Sequence, residues 1–592
     1  MKTIFRLLPL LFCLLAIAFL TYHLDVTQRF LFFQREQQQM FLFDGDFIAD
    51  RYFSLGGLSL FVAQFMVQFF SLQLAGPLLT AITGVLMSLI LWKALRRFSK
   101  SLILLALCFM PLLYQVESLF DFNYGYDGFI AMTLMVACFW LYTAMAERLS
   151  GRWHWRIALS VVLSLAVYIS MGPVGLLFAV MVLLYDIFTK AEKWYFQVLP
   201  LALVLLAGFW LVSNGRLESE RFALLPDFHY EPILKPVFRH YISWIALVAV
   251  LLAAFVISRL PKLNATIDVA IAAVLFVVVA WLFIRSANIT RKKDLIFPVI
   301  EIQHYVATGQ WDEILKSKYL RLNSYLIANY CNLALSHQGR LLDNLFAFPQ
   351  QGVNTLMVQG EYAEMSIETF VASPHIFYQM GNIAVARNKA FDASVAFQYG
   401  NPTIAQMLAK TNIVYGDYPI AERYLNMLKK TWGYADWARR YEKFLYNDAA
   451  VEADPELGLK RKDLPRESPD IMSRGVYVDL LNILDGGTPD RAVFEYAVAF
   501  LLLSRDAEDT RKFVEKYYAT PVMPTVPVLL QEALVEQNPA DYCLSHGVSQ
   551  EIIDRYKDFQ QMFLDVQSGD AAAEAMFEQK FQNTYWYYSL NV

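Results

Sequence analysis

The chain has 592 residues, 57% of them apolar and 15% aromatic, at a formal net charge of −4. That length exceeds one ordinary domain and that apolar content exceeds a soluble average. Charge near balance, with no basic tail, basic stripe or zinc-finger spacing, excludes the usual electrostatic footprint of nucleic-acid binding.

Residues 4–20 are an apolar run behind Lys2, with Arg6 near its start. No small-x-small cleavage site follows, since Thr21-Tyr22-His23-Leu24-Asp25 comes next, so the run is read as an uncleaved first span. Residues 21–56 are then a loop. The apolar stretch 58–70 places Gln64, Gln68 and Ser71 on one helical face behind Gly56-Gly57. That predicts a helix lying in the membrane interface rather than one arm of a transmembrane hairpin. Further spans are predicted near 74–94, 102–118, 127–146, 157–171, 173–188, 194–213, 238–258 and 266–285. Each is judged against the about 20 apolar residues that cross roughly 30 Å of hydrocarbon. Gly172-Pro173 splits 157–188 into two, because a single helix there would run to about 46 Å.

The count is about nine spans plus the interfacial helix. With the N-terminus inside, loops assigned inside carry 13 basic and 3 acidic residues, and those assigned outside carry 8 and 12. This Lys/Arg bias agrees with the positive-inside rule. The expected location is the plasma (inner) membrane, with a cytoplasmic N-terminus and an extracytoplasmic C-terminal half. Reading 157–188 as one span would reverse the placement of that half. Residues 1–285 carry 21 Lys+Arg against 16 Asp+Glu, and residues 286–592 carry 29 against 38.

After residue 288 amphipathic helical patterns replace the spans. Gly416-Asp417-Tyr418, with Ala421 and Tyr424, looks like the middle of a tetratricopeptide repeat: a glycine turn, an aromatic, then a small residue where two helices touch. Weaker echoes occur at Gly309-Gln310-Trp311, Gly339-Arg340-Leu341 and Asn388-Lys389-Ala390-Phe391, at irregular spacing. The fold class is therefore all-α: a polytopic membrane domain over 1–288, then a degenerate, α-solenoid-like helical-repeat domain over 289–450. A charged loop or linker is expected over 451–469, and 470–592 continues the array. The aromatic end at 581–588 is expected to dock, since so much aromatic area would otherwise stay wet. Cys13, Cys108 and Cys138 lie in apolar stretches and read as buried hydrophobes, whereas Cys331 and Cys543 could pair or stay free.

Two acidic clusters lie in loops assigned outside: Asp44, Asp46, Asp50 and Arg51, then Glu117, Asp121 and Asp127. Carboxylates so grouped could hold a divalent cation through oxygen, or one could act as general base on an acceptor hydroxyl. The next outside loop adds Arg216, Arg221, Lys235 and Arg239, cations suited to a phosphate leaving group, with His229 and His240 as interfacial polar residues. Asp268 lies just inside a span but near enough its end to reach the interface.

The layout from residue 2 to 285 resembles the C-class (GT-C) membrane glycosyltransferases, in which acidic residues follow the first span and interfacial helices come next. The resemblance implies transfer from a polyprenyl-phosphate-linked donor, with Asp44 and Asp46 as catalytic base or metal ligand. Asp50, Arg51, Glu117, Asp121, Asp127, Arg216 and Arg221 would then bind substrate. The whole chain is also similar to bacterial membrane proteins whose spans precede tetratricopeptide-like repeats, a likeness that implies no activity. The alternative reading is a non-enzymatic, membrane-anchored scaffold whose helical array binds a protein partner of an envelope assembly. Transport is disfavoured, because mid-span charges and paired broken helices are nearly absent.

Overall fold

The computed structural model describes residues 2–149, 151–232, 234–261, 263–293, 296–357, 367–397, 400–465, 475–567 and 571–591. These residues are all-helical, with no strand among them. Contacts divide the chain into two units: Met1–Phe297 with Lys430–Gly433, and Pro298–Lys429 with Tyr434–Val592.

The first unit begins with α1, Lys2–Gln38, a helix of 37 residues. Residues 21–38, expected as loop, continue the first span because Leu24, Gln28, Leu31 and Arg35 recur at helical spacing and are all buried. Asp25 and Arg29 add an (i, i+4) pair on another face at 2.7 Å. Then follow α2 (Gly45–Tyr52), α3 (Gly57–Val67), α4 (Ala75–Leu95), α5 (Leu102–Leu107), α6 (Phe109–Ser118) and α7 (Tyr126–Arg148). The unit continues with α8 (Trp153–Met171), α9 (Val174–Phe188), α10 (Val198–Ser213), α11 (Glu220–Leu224), α12 (Arg239–Arg259) and α13 (Ala265–Lys293). Among the described residues, seven helical segments are long and apolar enough to cross a membrane: Leu7–Gln38, Ala75–Leu95, Tyr126–Arg148, Trp153–Met171, Trp194–Ser213, Arg239–Arg259 and Ala265–Ser286. The other two expected spans are short. Leu102–Ser118 is broken at Cys108, and Val174–Phe188 has 15 residues.

The polar face of α3 turns inward, which reverses the logic behind the interfacial reading. Ser59 and Gln64 are fully buried and Gln68 nearly so, while Phe65 is 40% exposed. The helix packs on α7 and α8 with its amides inside and aromatic area outside.

At the end of the bundle carrying the basic loops, two acidic residues act as staples. Asp186 accepts from Arg156 Nε at 2.8 Å, from Tyr142 at 2.9 Å and from Gln197 at 2.9 Å. This ties α7, α8, α9 and the turn before α10 together. Both charges are buried, so removing one partner should cost about 3–5 kcal/mol. Asp268, in the first turn of α13, accepts from Ser101 and from the Leu102 backbone N–H at 2.9 Å. It caps α5 from a distance, which answers an orphan donor of that helix start.

In the second unit, consecutive helices pack on one another from Tyr325–His337 through Ile367–Gln379, Ile383–Ala396, Pro402–Tyr415 and Tyr418–Lys429. Gly416 ends one of them in the left-handed conformation, and Tyr418 and Ala421 are buried behind it. Phe391 is different: it is 55% exposed, while its neighbour Ala390 is buried. Later helices Arg491–Ser504 and Val528–Gln537 return to pack on Leu341–Asn344, so contacts are not confined to sequence neighbours as in a one-dimensional stack.

Part of the expected linker is ordered helix, Asp448–Ala453 and Leu457–Lys462; its last residues, 466–469, lie outside the described residues. The charge there is not solvated throughout. Lys460 is buried and donates to Gln379 O at 2.8 Å and to Asp490 at 2.5 Å. Cys331 and Cys543 are both buried and unpaired. The C-terminal aromatics dock as expected. Trp586 is fully buried and its indole N–H donates to Glu532 O at 2.7 Å, while Tyr588 stacks on Phe346 at 4.8 Å.

Candidate functional site

The segment between α10 and α12 descends into the end of the bundle opposite the basic loops, and glycines make room for it. Gly56 and Gly172 sit at φ +72° and +74°, a region that side chains disfavour. A Cβ on Gly56 would lie 2.8 Å from the Phe228 ring, and one on Gly172 would lie 3.0 Å from it. The Gly172-Pro173 break therefore does more than separate α8 from α9, because it forms one wall of a slot for Phe228. Gly56 N–H donates to Ile169 O at 2.9 Å and fixes the other wall.

Next to this wedge two loops pair by their backbones. Gly125 N–H donates to His229 O at 2.7 Å, and Glu231 N–H donates to Asn123 O at 3.1 Å, around a single antiparallel bridge between Tyr124 and Tyr230. Arg35, 2% exposed, anchors the first loop from below. Its guanidinium donates to the carbonyls of Leu119 (2.7 Å), Asp121 (3.0 Å) and Tyr124 (2.7 Å), just past the C-terminal end of α6. A cation suits that helix end, where carbonyls lack intrahelical partners.

Two carboxylate–imidazole pairs result. Asp127, in the first turn of α7, meets His229 Nδ1 at 2.6 Å. In a neutral ring a proton on Nδ1 would be donated to this carboxylate, with Nε2 then the basic nitrogen. That Nε2 is buried and has no hydrogen-bond partner among the described residues. In the second pair, Asp121 Oδ2 accepts from the Tyr230 hydroxyl at 3.0 Å and faces His240 Nε2 at 3.4 Å, while Oδ1 accepts from Asn123 N–H at 3.1 Å. Burial pushes the Asp121 carboxyl up, but the contacts from His240, the Asn123 amide and Tyr230 outweigh it and hold Asp121 below the usual carboxylate range. His240 stacks flat on Tyr124 at 4.7 Å, and Tyr124 OH accepts from Gln115 at 3.0 Å. Burial and then the Asp121 charge push the Tyr230 phenol up, so it remains a donor at neutral pH.

The structure thus gathers Asp121 and Asp127 with both histidines, but it distributes the other candidates elsewhere. Asp44 caps α2, accepting from Asp46 N–H at 3.1 Å and Phe47 N–H at 3.3 Å, and also pairs with Lys430. The Lys430 contact first, then the Phe47 amide, keep its carboxyl below the ordinary range. Asp46 and Asp50 are exposed on α2; Arg51 lies 3.6 Å from Asp50 and over the Phe47 ring. Arg221 is committed to Asp227 at 2.8 Å, and Arg216 is exposed on the turn after α10. Glu117 is buried on α6 beside Ser286 and Arg239. Among the described residues no three His, Cys, Asp or Glu side chains converge as a metal site.

Sequence reasoning missed Arg35 and read His229 and His240 only as interfacial polar residues. A lone arginine between Gln34 and Glu36 carries no signal of its target, and two histidines in one loop reveal no carboxylate partner until the loops meet. No curated protein and no solved structure matches this chain. A family description does match, over residues 2–591, and by it the chain belongs to DUF6057, a family of unknown function.

Proposed function

We propose that this protein is a membrane-embedded group transferase, with a polyprenyl-phosphate-linked sugar as donor, working at the extracytoplasmic face of the inner membrane. The observation that carries the reading is His229: its Nδ1 is held by Asp127 and its Nε2 is buried and unpartnered. That is the arrangement of an oriented general base. An acceptor hydroxyl would give its proton to Nε2 once the Pro226–His229 turn lifts from its slot. Asp44, already committed as a helix cap and to Lys430, is less suited to that role than Asp46, whose exposed carboxylate could orient donor or cation.

The test is transfer of radiolabelled hexose from a polyprenyl-phosphate donor in proteoliposomes. His229→Gln and Asp127→Asn should lower the rate by about 10²–10⁴-fold at normal membrane insertion. An active His229→Gln variant beside an inactive Asp46→Asn would move the base to α2. No transfer above protein-free vesicles in the wild type, across the lipid-linked hexoses, would end the transferase reading.

The scaffold reading is favoured by one feature of the second unit. Phe391 and Val395, one turn apart on Ile383–Ala396, are 55% and 71% exposed. An apolar pair held in water suits a partner surface. Phe391→Ser with Val395→Ser should leave transfer and thermal stability unchanged and abolish co-purification of an envelope partner. Unchanged co-purification would count against the scaffold role of this face.

A further inference from the structure

Away from the histidine cluster, α1, α6 and α13 line an open apolar groove of about 300 Å³ among the long apolar helices of the first unit. Its wall is built in levels. Phe12 stacks on Phe276 at 4.6 Å, and Phe276 meets Phe109 edge-on at 5.0 Å. Further along, Phe19 meets Phe283 at 6.3 Å, and Phe120 lies 5.8 Å from the same ring. All lining side chains are hydrocarbon. α13 packs on α5, α6 and α1 at the edge of the unit, and only about 11% of its apolar window is buried, so the groove lies at the periphery of the helices.

The three helices run in one direction here. Arg35 places the C-terminal end of α1 against the loop that follows α6, and Asp268 places the start of α13 against the start of α5. Following each helix past the cavity, the lining becomes polar within the next turn. On α1 the change comes at His23, whose ring meets Phe283 at 5.1 Å and stacks near Phe19 at 5.9 Å. On α6 it comes at Glu117, one turn beyond Leu113, and on α13 at Ser286, three residues beyond Phe283. Glu117 bonds Ser286 and feels the charge of Arg239. His23 Nε2 is buried without a hydrogen-bond partner among the described residues. A polar atom so placed loses its water and gains nothing in exchange, unless a polar group comes to it.

An apolar groove followed along its helices by an imidazole with an unsatisfied nitrogen and by an acid that feels an arginine's charge has the polarity profile of an amphiphile. We propose that this groove binds one acyl chain of a membrane phospholipid, with the headgroup phosphate received by Arg239 and His23. Glu117, which feels the Arg239 charge, matches a cationic headgroup and selects a zwitterionic lipid such as phosphatidylethanolamine over an anionic one. The hydrocarbon lining supplies area burial and the cap supplies orientation. This site does not depend on the transferase reading, because the groove and the histidine cluster share no residue.

The test uses full-length protein in nanodiscs containing phosphatidylethanolamine with a diazirine in its acyl chain. After irradiation, peptides carrying Phe12–Phe19, Phe109–Leu113 and Phe276–Phe283 should be labelled well above the lipid-facing Leu206 region. Arg239→Gln should lower groove labelling about tenfold, the size of one charge-assisted hydrogen bond. Ala273→Trp with Ala280→Trp, which fills the groove from α13, should abolish it without changing label at Leu206. Uniform labelling of the groove and Leu206, unaffected by Arg239→Gln, would mean annular lipid only and overturn the proposal. Equal or stronger labelling by a diazirine phosphatidylglycerol would overturn the headgroup assignment. A wild-type protein that labels evenly is decisive even if the tryptophan variant misfolds.

Discussion

Glu532 shows how a single buried acid can carry a pH dependence. It is 1% exposed, and its carboxylate accepts from the Tyr585 N–H at 2.8 Å while Arg555 lies 3.5 Å away. Burial outweighs both partners and pushes its carboxyl up from the ordinary 4.5 to about 7. A carboxyl raised in the folded state holds its proton where the unfolded chain has released it. Its contribution is therefore fully present below the ordinary value and fades as pH rises from about 4.5 through 7. At most that is on the order of 3 kcal/mol. Hydrogen exchange at the Tyr585 amide, corrected for intrinsic rate, should show stronger protection at pH 5.5 than at pH 8. Glu532→Gln should flatten the difference; an unchanged pH dependence in that variant would remove Glu532 as its source. The same arithmetic separates Asp121 from this class, because its contacts win over burial and keep it charged.

At the scale of helices, the spans were legible because apolar length is a strong signal, and the boundaries were less so. Residues 21–38 looked like loop because Gln and Arg recur there beside Asp25 and Glu36, yet Leu24, Gln28, Leu31 and Arg35 sit on one buried face. A helix whose buried stripe includes Gln and Arg defeats a reading by hydropathy alone. The inward amides of α3 failed the reading for the same reason, since amphipathicity reports a polar side without saying what that side faces. Within the candidate site, Asp121 and Asp127 were legible as a charged cluster, whereas His229 and Arg35 reach them across 102 and 86 residues of sequence. Such separation leaves no local pattern. The docking of the aromatic end at 581–588 was legible from aromatic density, whereas its helix, Tyr585–Asn591, was not. Trp586→Ala should cost about 3–5 kcal/mol, a core truncation that leaves Glu532 O without its donor. Chemical denaturation of the full-length protein in detergent, read from the second unit by far-UV dichroism, checks it, and a loss under 1 kcal/mol would show the end is not core.

For the molecule as a whole, charge is the organising quantity. Basic residues cluster at Lys93, Arg96, Arg97, Lys100 and Lys190, while Asp121, Asp127 and Asp227 gather at the other end of the bundle. Among the described residues seven helical segments are long and apolar enough to cross a membrane and three are shorter, so the count alone does not set the sides, and the Lys/Arg bias supplies the expectation to be tested. Four of the five native thiols are buried, so topology is better read from added ones. In intact spheroplasts Arg216→Cys should react with a membrane-impermeant maleimide, and Lys190→Cys should react only after permeabilisation. The reverse pattern would place the histidine cluster in the cytoplasm and end a role at the outer face.

The Phe228 slot also carries a clock. Residues 56 and 172, whose glycines wall the slot, leave the ribosome before residue 228, which fills it. His229 cannot meet Asp127 until α10 has been made and the chain has turned back toward α12. A nascent chain halted before that point would hold its helices and its acids but no oriented imidazole. An oriented imidazole at this site is thus a property of the finished first unit and cannot belong to a chain that ends before residue 229.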